Sequence, residues 1–244
     1  MQGKLTATSG KEIGFWRGWS IAVGCAIGSG VFMMPTLLAP YGMLGLAGWL
    51  TAGAGSLLIV LSLSRLARRI PKLGGPYAYV RAGLGDFAGF LIAWTYWIAC
   101  IAAVAGIAIA FVGYLGFFFP FITESSVISL LVALVLVWSL VALNMRSVDG
   151  SGTFQVATTL LKILPLLVMI VMGFIHMEPE IMPPLNPTEL HPIALLATVT
   201  TLVMWSFTGI ETAAVPADNM AEPDKLIPRI LLASVLTILV IYFL

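Results

Sequence analysis

Gly24-Cys25-Ala26-Ile27-Gly28-Ser29-Gly30-Val31-Phe32 lies in the middle of the first apolar segment of the chain. Glycine and serine at mid-span favour a break in a membrane helix. N–H and C=O groups freed at that depth are tolerated only where they line a cavity or bind a ligand. Trp205-Ser206-Phe207-Thr208-Gly209-Ile210-Glu211 interrupts a later apolar segment in a similar way. Two broken spans at corresponding positions of two halves indicate the substrate site of a secondary transporter.

The composition is that of an integral membrane protein. Of the 244 residues, 60% are hydrophobic and 9% are charged, whereas a soluble domain carries about 25% charged residues. The net charge of +1 argues against nucleic acid as a partner. Both cysteines lie in apolar segments and both histidines lie in one polar loop. We therefore expect no disulfide framework, no metal site and no cofactor.

Seven apolar segments predict an all-α integral membrane fold in a single transmembrane domain over residues 1–244. The predicted elements are a polar tail at 1–12 and spans at about 13–39, 43–63, 86–119, 126–144, 153–175, 192–215 and 229–244. The last of these is too short to cross about 30 Å of hydrocarbon comfortably. We therefore expect the chain to be the N-terminal part of a longer protein.

The distribution of lysine and arginine predicts the orientation. With a cytoplasmic N-terminus, 11 of the 12 basic residues fall in cytoplasmic segments, five of them within 65–81. This bias favours a multi-pass protein of the cytoplasmic (inner) membrane with its N-terminus inside. In the same loop, Gly74-Gly75-Pro76-Tyr77 either shapes an inner gate or belongs to a segment that acts only as a topology signal.

Two ionisable side chains lie well within the predicted spans. They are Lys162 and Glu211, and charged residues at such positions by default mark ion or substrate pathways. Lys162 shares a helical face with Gln155, Thr158 and Thr159, and we expect this polar face to look into the helix bundle. The alternatives are a lysine that snorkels to the membrane surface and a glutamate with a structural hydrogen bond.

Four motifs, in this order, resemble the amino acid–polyamine–organocation transporters, in particular the basic amino acid/polyamine antiporters. The motifs are Ile27–Phe32 followed by Pro35, Gly74–Tyr79, Tyr96-Trp97 with Cys100, and Trp205–Glu211. That family is similar to the LeuT-type fold, which has two inverted five-helix repeats. The resemblance implies that the chain holds the first repeat, helix 6 and part of helix 7. It also implies a secondary active transporter that moves amino acids or related amines by alternating access, as an exchanger or coupled to protons.

The resemblance further implies where the substrate binds. Its carboxylate would meet N–H groups and the hydroxyl around Ser29 and Gly30, and its amino group would meet carbonyls near Ala26, Trp205 and Thr208. The implied substrate-binding residues are Ala26, Ile27, Gly28, Ser29, Gly30, Tyr96, Val104, Trp205 and Thr208. Trp205 and Tyr96 match aromatic residues that close over the substrate or form a gate, with packing or interfacial anchoring as the alternative.

Two further implications concern charge. The resemblance makes Glu211 a proton-responsive carboxylate and lets Lys162 stand in for a sodium ion. Val104 and Cys25 occupy positions where the arginine/agmatine exchanger has asparagines. Because both polar partners for a long cationic side chain are missing, the sequence argues against arginine or agmatine as substrate.

Other functions fit the sequence less well. A channel would need a ring-forming repeat, and an enzyme would need a His/Asp/Glu cluster or an activated serine; the spans contain neither. A neutral amino acid/proton symporter of the same superfamily and an inactive truncated fragment stay open. The expected partners are an amino acid or polyamine-like small molecule, protons and the lipid bilayer, and the resemblance leaves room for a homodimer.

Overall fold

The computed structural model describes residues 13–146, 148–176 and 182–244, and the predicted polar tail at 1–12 lies outside them. All regular structure in these residues is helical. The α-helices are Phe15–Ala26 (α1), Met34–Leu38 (α2), Met43–Arg69 (α3), Pro76–Leu84 (α4), Asp86–Phe118 (α5), Phe121–Glu124 (α6), Ser126–Arg146 (α7), Val148–Ile175 (α8), Pro192–Met204 (α9) and Pro223–Phe243 (α10). Short 3₁₀ helices cover Ser29–Met33, Ala39–Tyr41, Trp205–Phe207, Ile210–Ala214 and Ala217–Asn219.

Six helical segments are long and apolar enough to cross a membrane. They are Met43–Arg69, Asp86–Phe118, Ser126–Met145, Thr153–Ile175, Pro192–Ala214 and Pro223–Phe243. Phe15–Ala26 and Ser29–Tyr41 form a seventh span if they are counted together, and they are bent by 50° at the predicted break. The all-α membrane fold predicted from the sequence is thus confirmed.

Helix boundaries differ most from the prediction at three spans. Helix α8 begins at Val148 rather than at residue 153. Helix α3 continues to Arg69, past the predicted end at residue 63, so the first part of the basic loop is helical. Helix α10 begins at Pro223 rather than at residue 229. Proline suits a first helical turn because that turn leaves its N–H groups unpaired in any case. The extra residues make α10 21 residues long, which is enough to cross a bilayer.

The contacts divide the chain into two compact units. The first, here called the hairpin unit, contains residues 80–152 among those described, and in it α5 packs along α7 with the short α6 at their connection. The second, here called the core unit, contains residues 13–79, 153–176 and 182–244 among those described. Both breaks lie in the core unit.

Within the core unit, α1, α8 and α10 run in the same direction. Along α10, Ile230 lies against Gly18 and the Tyr242 hydroxyl reaches the carbonyl of Ala26, so both helices advance together. Along α8, Gln155 bonds to the carbonyl of Ser20, and Lys162, further along the helix, bonds to that of Gly24.

Helices α3 and α9 run in the opposite direction. Helix α3 is antiparallel to α10, because Trp49 contacts Tyr242 whereas Gly53 lies against Leu239. Helix α9 runs parallel to α3, since Val199 packs on Gly48 and Met204, further along α9, lies beside Ser56, further along α3. The two broken spans, at residues 15–41 and 192–214, therefore cross the core unit in opposite directions, which is the relation expected of inverted repeats.

Candidate functional site

The first break leaves three backbone N–H groups free. Helix α1 ends at Ala26, and Ile27 and Gly28 have extended backbones before the 3₁₀ helix that starts at Ser29. Among the described residues, no acceptor faces the N–H groups of Gly28, Ser29 and Gly30. A Cβ atom added to Gly28 or Gly30 would have nothing within 4 Å. Gly28, Ser29 and Gly30 are all exposed, so an anionic group can reach this stretch.

Two side chains donate hydrogen bonds to carbonyls at the C-terminal end of α1. The Lys162 ammonium donates to the carbonyl oxygen of Gly24 at 2.9 Å, and the Tyr242 hydroxyl donates to that of Ala26 at 3.3 Å. The C-terminal end of a helix carries partial negative charge, so a cation is favourable there. Lys162 thus makes an inward contact at the break, which the snorkelling alternative does not predict.

The predicted polar face of α8 packs on α1. Gln155 Nε2 donates to the carbonyl oxygen of Ser20 at 3.2 Å. The Thr159 hydroxyl lies 3.1 Å from the same oxygen and 2.7 Å from the carbonyl oxygen of Gln155, so its proton is shared between them. The approach is close, because a Cβ atom on Gly24 would lie 2.3 Å from Gln155 Nε2 and 2.4 Å from Thr159 Oγ1. Because Gly24 has no side chain, α8 packs close enough for the Lys162 ammonium to reach the Gly24 carbonyl. Thr158, on the same face, bonds only within α8.

The second break exposes an indole rather than a free carbonyl at Trp205. The carbonyl oxygen of Trp205 accepts from the N–H of Thr208 at 3.1 Å and from its hydroxyl at 2.7 Å. Both lone pairs are thereby engaged, although the resemblance implied that this carbonyl would be open to the substrate. The Trp205 side chain is 73% exposed. Its ring, not its carbonyl, is the group available to a ligand.

Gly209 brings the second break into contact with the first. Its φ of +100° is a left-handed conformation that favours glycine. A Cβ atom there would lie 3.1 Å from the carbonyl carbon of Cys25. The carboxylate of Glu211 accepts the N–H of Gly209 at 3.0 Å, which is the structural role foreseen as the alternative for this glutamate. Lys162 and Glu211 form no ion pair in the part of the chain that the structure describes.

Two cavities adjoin the breaks. The larger, about 580 Å³, borders Val31 and Leu38 but has an apolar lining that reaches α3, α8 and α10. The described residues that line it include no charged side chain, so we place the candidate site at the breaks instead. The smaller, about 120 Å³, lies between Ser56 of α3 and the second break, where Thr208 and Glu211 line it.

The loop after α3 lies on the segment that follows the second break. Leu73 N–H donates to Asp218 Oδ1 at 3.1 Å, and Gly74 N–H donates to the carbonyl of Val215 at 3.0 Å. Gly75 approaches Ala214 so closely that a Cβ atom would lie 3.1 Å from its carbonyl carbon. Burial raises the pKa of the Tyr79 phenol in the same loop region, so its hydroxyl stays protonated. The Gly-Gly-Pro-Tyr turn is therefore part of a tertiary contact and not only a topology signal.

Tyr96 and Val104 belong to α5 in the hairpin unit, whereas the other predicted site residues belong to the core unit. Their side chains are 39% and 50% exposed, and their roles in a substrate site stay predictions. Sequence reasoning missed Tyr242. A tyrosine inside an apolar span carries a hydroxyl that needs a partner, and this signal could have identified it.

An all-α membrane protein with two opposed broken spans, whose freed backbone groups face open space, belongs to the class of membrane transporters. The chain is a member of the amino acid permease family, whose sequence model matches residues 13–244. This family membership indicates a multi-pass transporter and not an enzyme.

Several transporters are similar to the chain. It is 30% identical to an arginine/ornithine antiporter of Latilactobacillus sakei over 96% of this chain and 51% of that protein. It is also 30% identical to an arginine/ornithine antiporter of Pseudomonas aeruginosa, over 80% of this chain and 42% of that protein. An L-lysine transport protein of Corynebacterium glutamicum is 36% identical over 63% of this chain and 31% of that protein. The chain thus spans about half the length of the first of these relatives.

Proposed function

We propose that the chain is part of an exchanger that moves amino acids across the cytoplasmic membrane by alternating access. The observation that carries this proposal is the first break, where the N–H groups of three exposed residues have no hydrogen-bond partner among the described residues and the carbonyls of Gly24 and Ala26 accept from side chains. A zwitterionic amino acid needs donors for its carboxylate close to acceptors for its ammonium group. In lipid, such unpaired backbone groups are retained only where they line a cavity or bind something.

The substrate's carboxylate binds the N–H groups of Gly28, Ser29 and Gly30. Its ammonium group binds the second lone pair of the Ala26 carbonyl and the carbonyl of Thr208. The exposed indole of Trp205 covers the bound substrate. This arrangement keeps the ring contact that the resemblance implied for Trp205 and omits its carbonyl contact, because Thr208 engages that carbonyl.

We propose a cationic amino acid as the substrate class. The similar proteins are named for arginine, ornithine and lysine, and an exposed indole attracts a cation through its π face. Cys25 and Val104, which replace asparagines of the arginine/agmatine exchanger, favour a second candidate, a symporter for neutral amino acids. If the substrate is a cationic amino acid, its charged side chain binds the Trp205 ring rather than amide groups.

Lys162 supplies the charge that sodium would otherwise bring to the carbonyl end of α1. Transport is then independent of sodium, and it changes with pH when Lys162 exchanges its proton. Glu211 is the second candidate for proton coupling, because it is an ionisable side chain at the second break, where its carboxylate accepts the N–H of Gly209. Glu211→Gln retains an acceptor for Gly209 but removes the charge, so it should shift the pH profile without dismantling the contact.

We propose that the N-terminus is cytoplasmic, because the positive-inside rule favours a cytoplasmic location for the basic loop. The contacts of Leu73, Gly74 and Gly75 with residues 214–218 then lie at the cytoplasmic end of the site. We propose that these contacts close the inner gate and separate when the site opens inward. Tyr96 contributes to a gate, as the resemblance implies.

The test is counterflow in proteoliposomes that contain the full-length protein. Vesicles are loaded with unlabelled lysine, ornithine, arginine, agmatine or alanine, and uptake of the labelled compound is measured with and without sodium. We expect saturable uptake of labelled cationic amino acid that is stimulated by internal cationic amino acid and is indifferent to sodium. Protein-free vesicles are the control. Uptake that rises linearly with concentration would indicate a channel, and exchange of alanine alone would favour the second candidate.

A further inference from the structure

Tyr242 replaces a hydrogen bond that the first break removes. In an unbroken helix the carbonyls of Gly24 and Ala26 would accept from the N–H groups of Gly28 and Gly30, four residues ahead. In the structure these two carbonyls accept from Lys162 and Tyr242 instead, at 2.9 and 3.3 Å. The two side chains thus donate to carbonyls that backbone N–H groups would otherwise engage. The N–H groups of Gly28 and Gly30 are left free as a result.

The ring of Tyr242 also supports the second break. It packs against Trp49 of α3 and Phe207, with ring centroids 5.0 and 5.9 Å away, and the Trp49 and Phe207 centroids are 6.1 Å apart. All three side chains are buried. Phe207 lies between Trp205 and Thr208 in the chain, so one tyrosine contacts both breaks, through its hydroxyl and through its ring.

We propose that Tyr242 is a positioning residue for the amino acid site. Its hydroxyl occupies the Ala26 carbonyl in place of the Gly30 N–H, so that this N–H is available to the substrate carboxylate. Its ring holds Phe207 and thereby the adjoining Trp205 and Thr208. The inference rests on the proposed function, because the ligand it serves is the amino acid assigned to the breaks.

The hydroxyl can be tested separately from the ring. Tyr242→Phe keeps the contacts with Trp49 and Phe207 but leaves the Ala26 carbonyl to compete for the Gly30 N–H. The matched control is Thr237→Val on the same helix. Thr237 Oγ1 accepts from Trp19 Nε1 at 3.3 Å, so this change also removes a bond between α10 and α1, but at a distance from the break.

Binding of labelled lysine to the full-length protein is measured for both variants, with lysinamide as a competitor that lacks the carboxylate. Loss of one neutral hydrogen bond corresponds to a rise in Kd of roughly three- to tenfold in Tyr242→Phe. We expect this rise for lysine, a smaller one for lysinamide, and a Kd within about twofold of wild type in Thr237→Val.

Three results would overturn the inference while leaving the proposed function intact. They are an unchanged Kd in Tyr242→Phe, an equal rise in Thr237→Val, and an equal rise for lysinamide. A wild-type protein that binds no amino acid would instead overturn the proposed function and this inference together. The wild-type measurement therefore distinguishes the two failures.

Discussion

Replacing Lys162 by methionine removes one charge from the core unit and nearly preserves the length of the side chain. The wild-type ammonium makes a charge-assisted hydrogen bond to the Gly24 carbonyl at 2.9 Å, and such a bond contributes about 1.5–3 kcal/mol. Against this stands the cost of a charge within a membrane span, about 2.5–3.5 kcal/mol on insertion scales. The two magnitudes nearly cancel. We therefore expect the thermal stability of Lys162→Met to differ little from that of the wild type.

Transport by Lys162→Met, unlike its stability, should fall. Without the ammonium, the carbonyl end of α1 lacks its cation, and the Gly24 carbonyl competes for the N–H of Gly28. A loss of about 1.5–3 kcal/mol in the bound state corresponds to a fall in exchange of roughly tenfold or more. Counterflow of labelled lysine by the full-length protein measures this loss, and a thermal melt of the same preparation measures stability.

Two threonines on α8 provide matched controls. Thr159→Val removes the hydroxyl that donates to Ser20 at 3.1 Å, which should lower stability by about 0.5–1.5 kcal/mol and leave exchange close to wild type. In Thr158→Val the lost bonds lie within α8, so both readouts should stay unchanged. The reasoning is refuted if Lys162→Met exchanges like the wild type, or if its exchange falls only in proportion to a large loss of stability.

Three further predictions concern the breaks. Gly30→Leu should fold, because an added Cβ meets nothing within 4 Å, but it should abolish substrate binding because the side chain fills that space. Its control in the same binding assay is Gly55→Leu on α3, where an added Cβ also meets nothing within 4 Å. Gly209→Ala should lower the thermal stability by about 1–3 kcal/mol, because its φ is +100° and Cys25 is close; an unchanged melt would contradict this. Trp205→Leu should lose about 1–2 kcal/mol of cation–π contact with lysine. The Kd for lysine should therefore rise several-fold while the melting temperature is unchanged. Equal affinity would reduce Trp205 to a packing role.

The positions of the breaks could be predicted from the sequence because they depend on local properties. Glycine and serine at residues 28–30 weaken a helix wherever it packs, and the structure bends the first span by 50° at that point. The polar face of α8 was predicted for a similar reason, since Gln155 and Lys162 repeat at helical spacing. The early start of α10 at Pro223 was missed, because the charged Asp224 and Lys225 look like loop residues.

The partners of these groups were decided by the tertiary structure. The sequence indicated that Lys162 faces inward, but only packing placed its ammonium on Gly24, and only packing placed Gly209 on Cys25. The bond from Tyr242 to Ala26 joins residues 216 positions apart. Periodicity and composition act over a few helical turns, so they determine which segments span the membrane and where these break. Which donor reaches a freed carbonyl depends on how separate helices pack, and that follows from the shapes of their surfaces in contact.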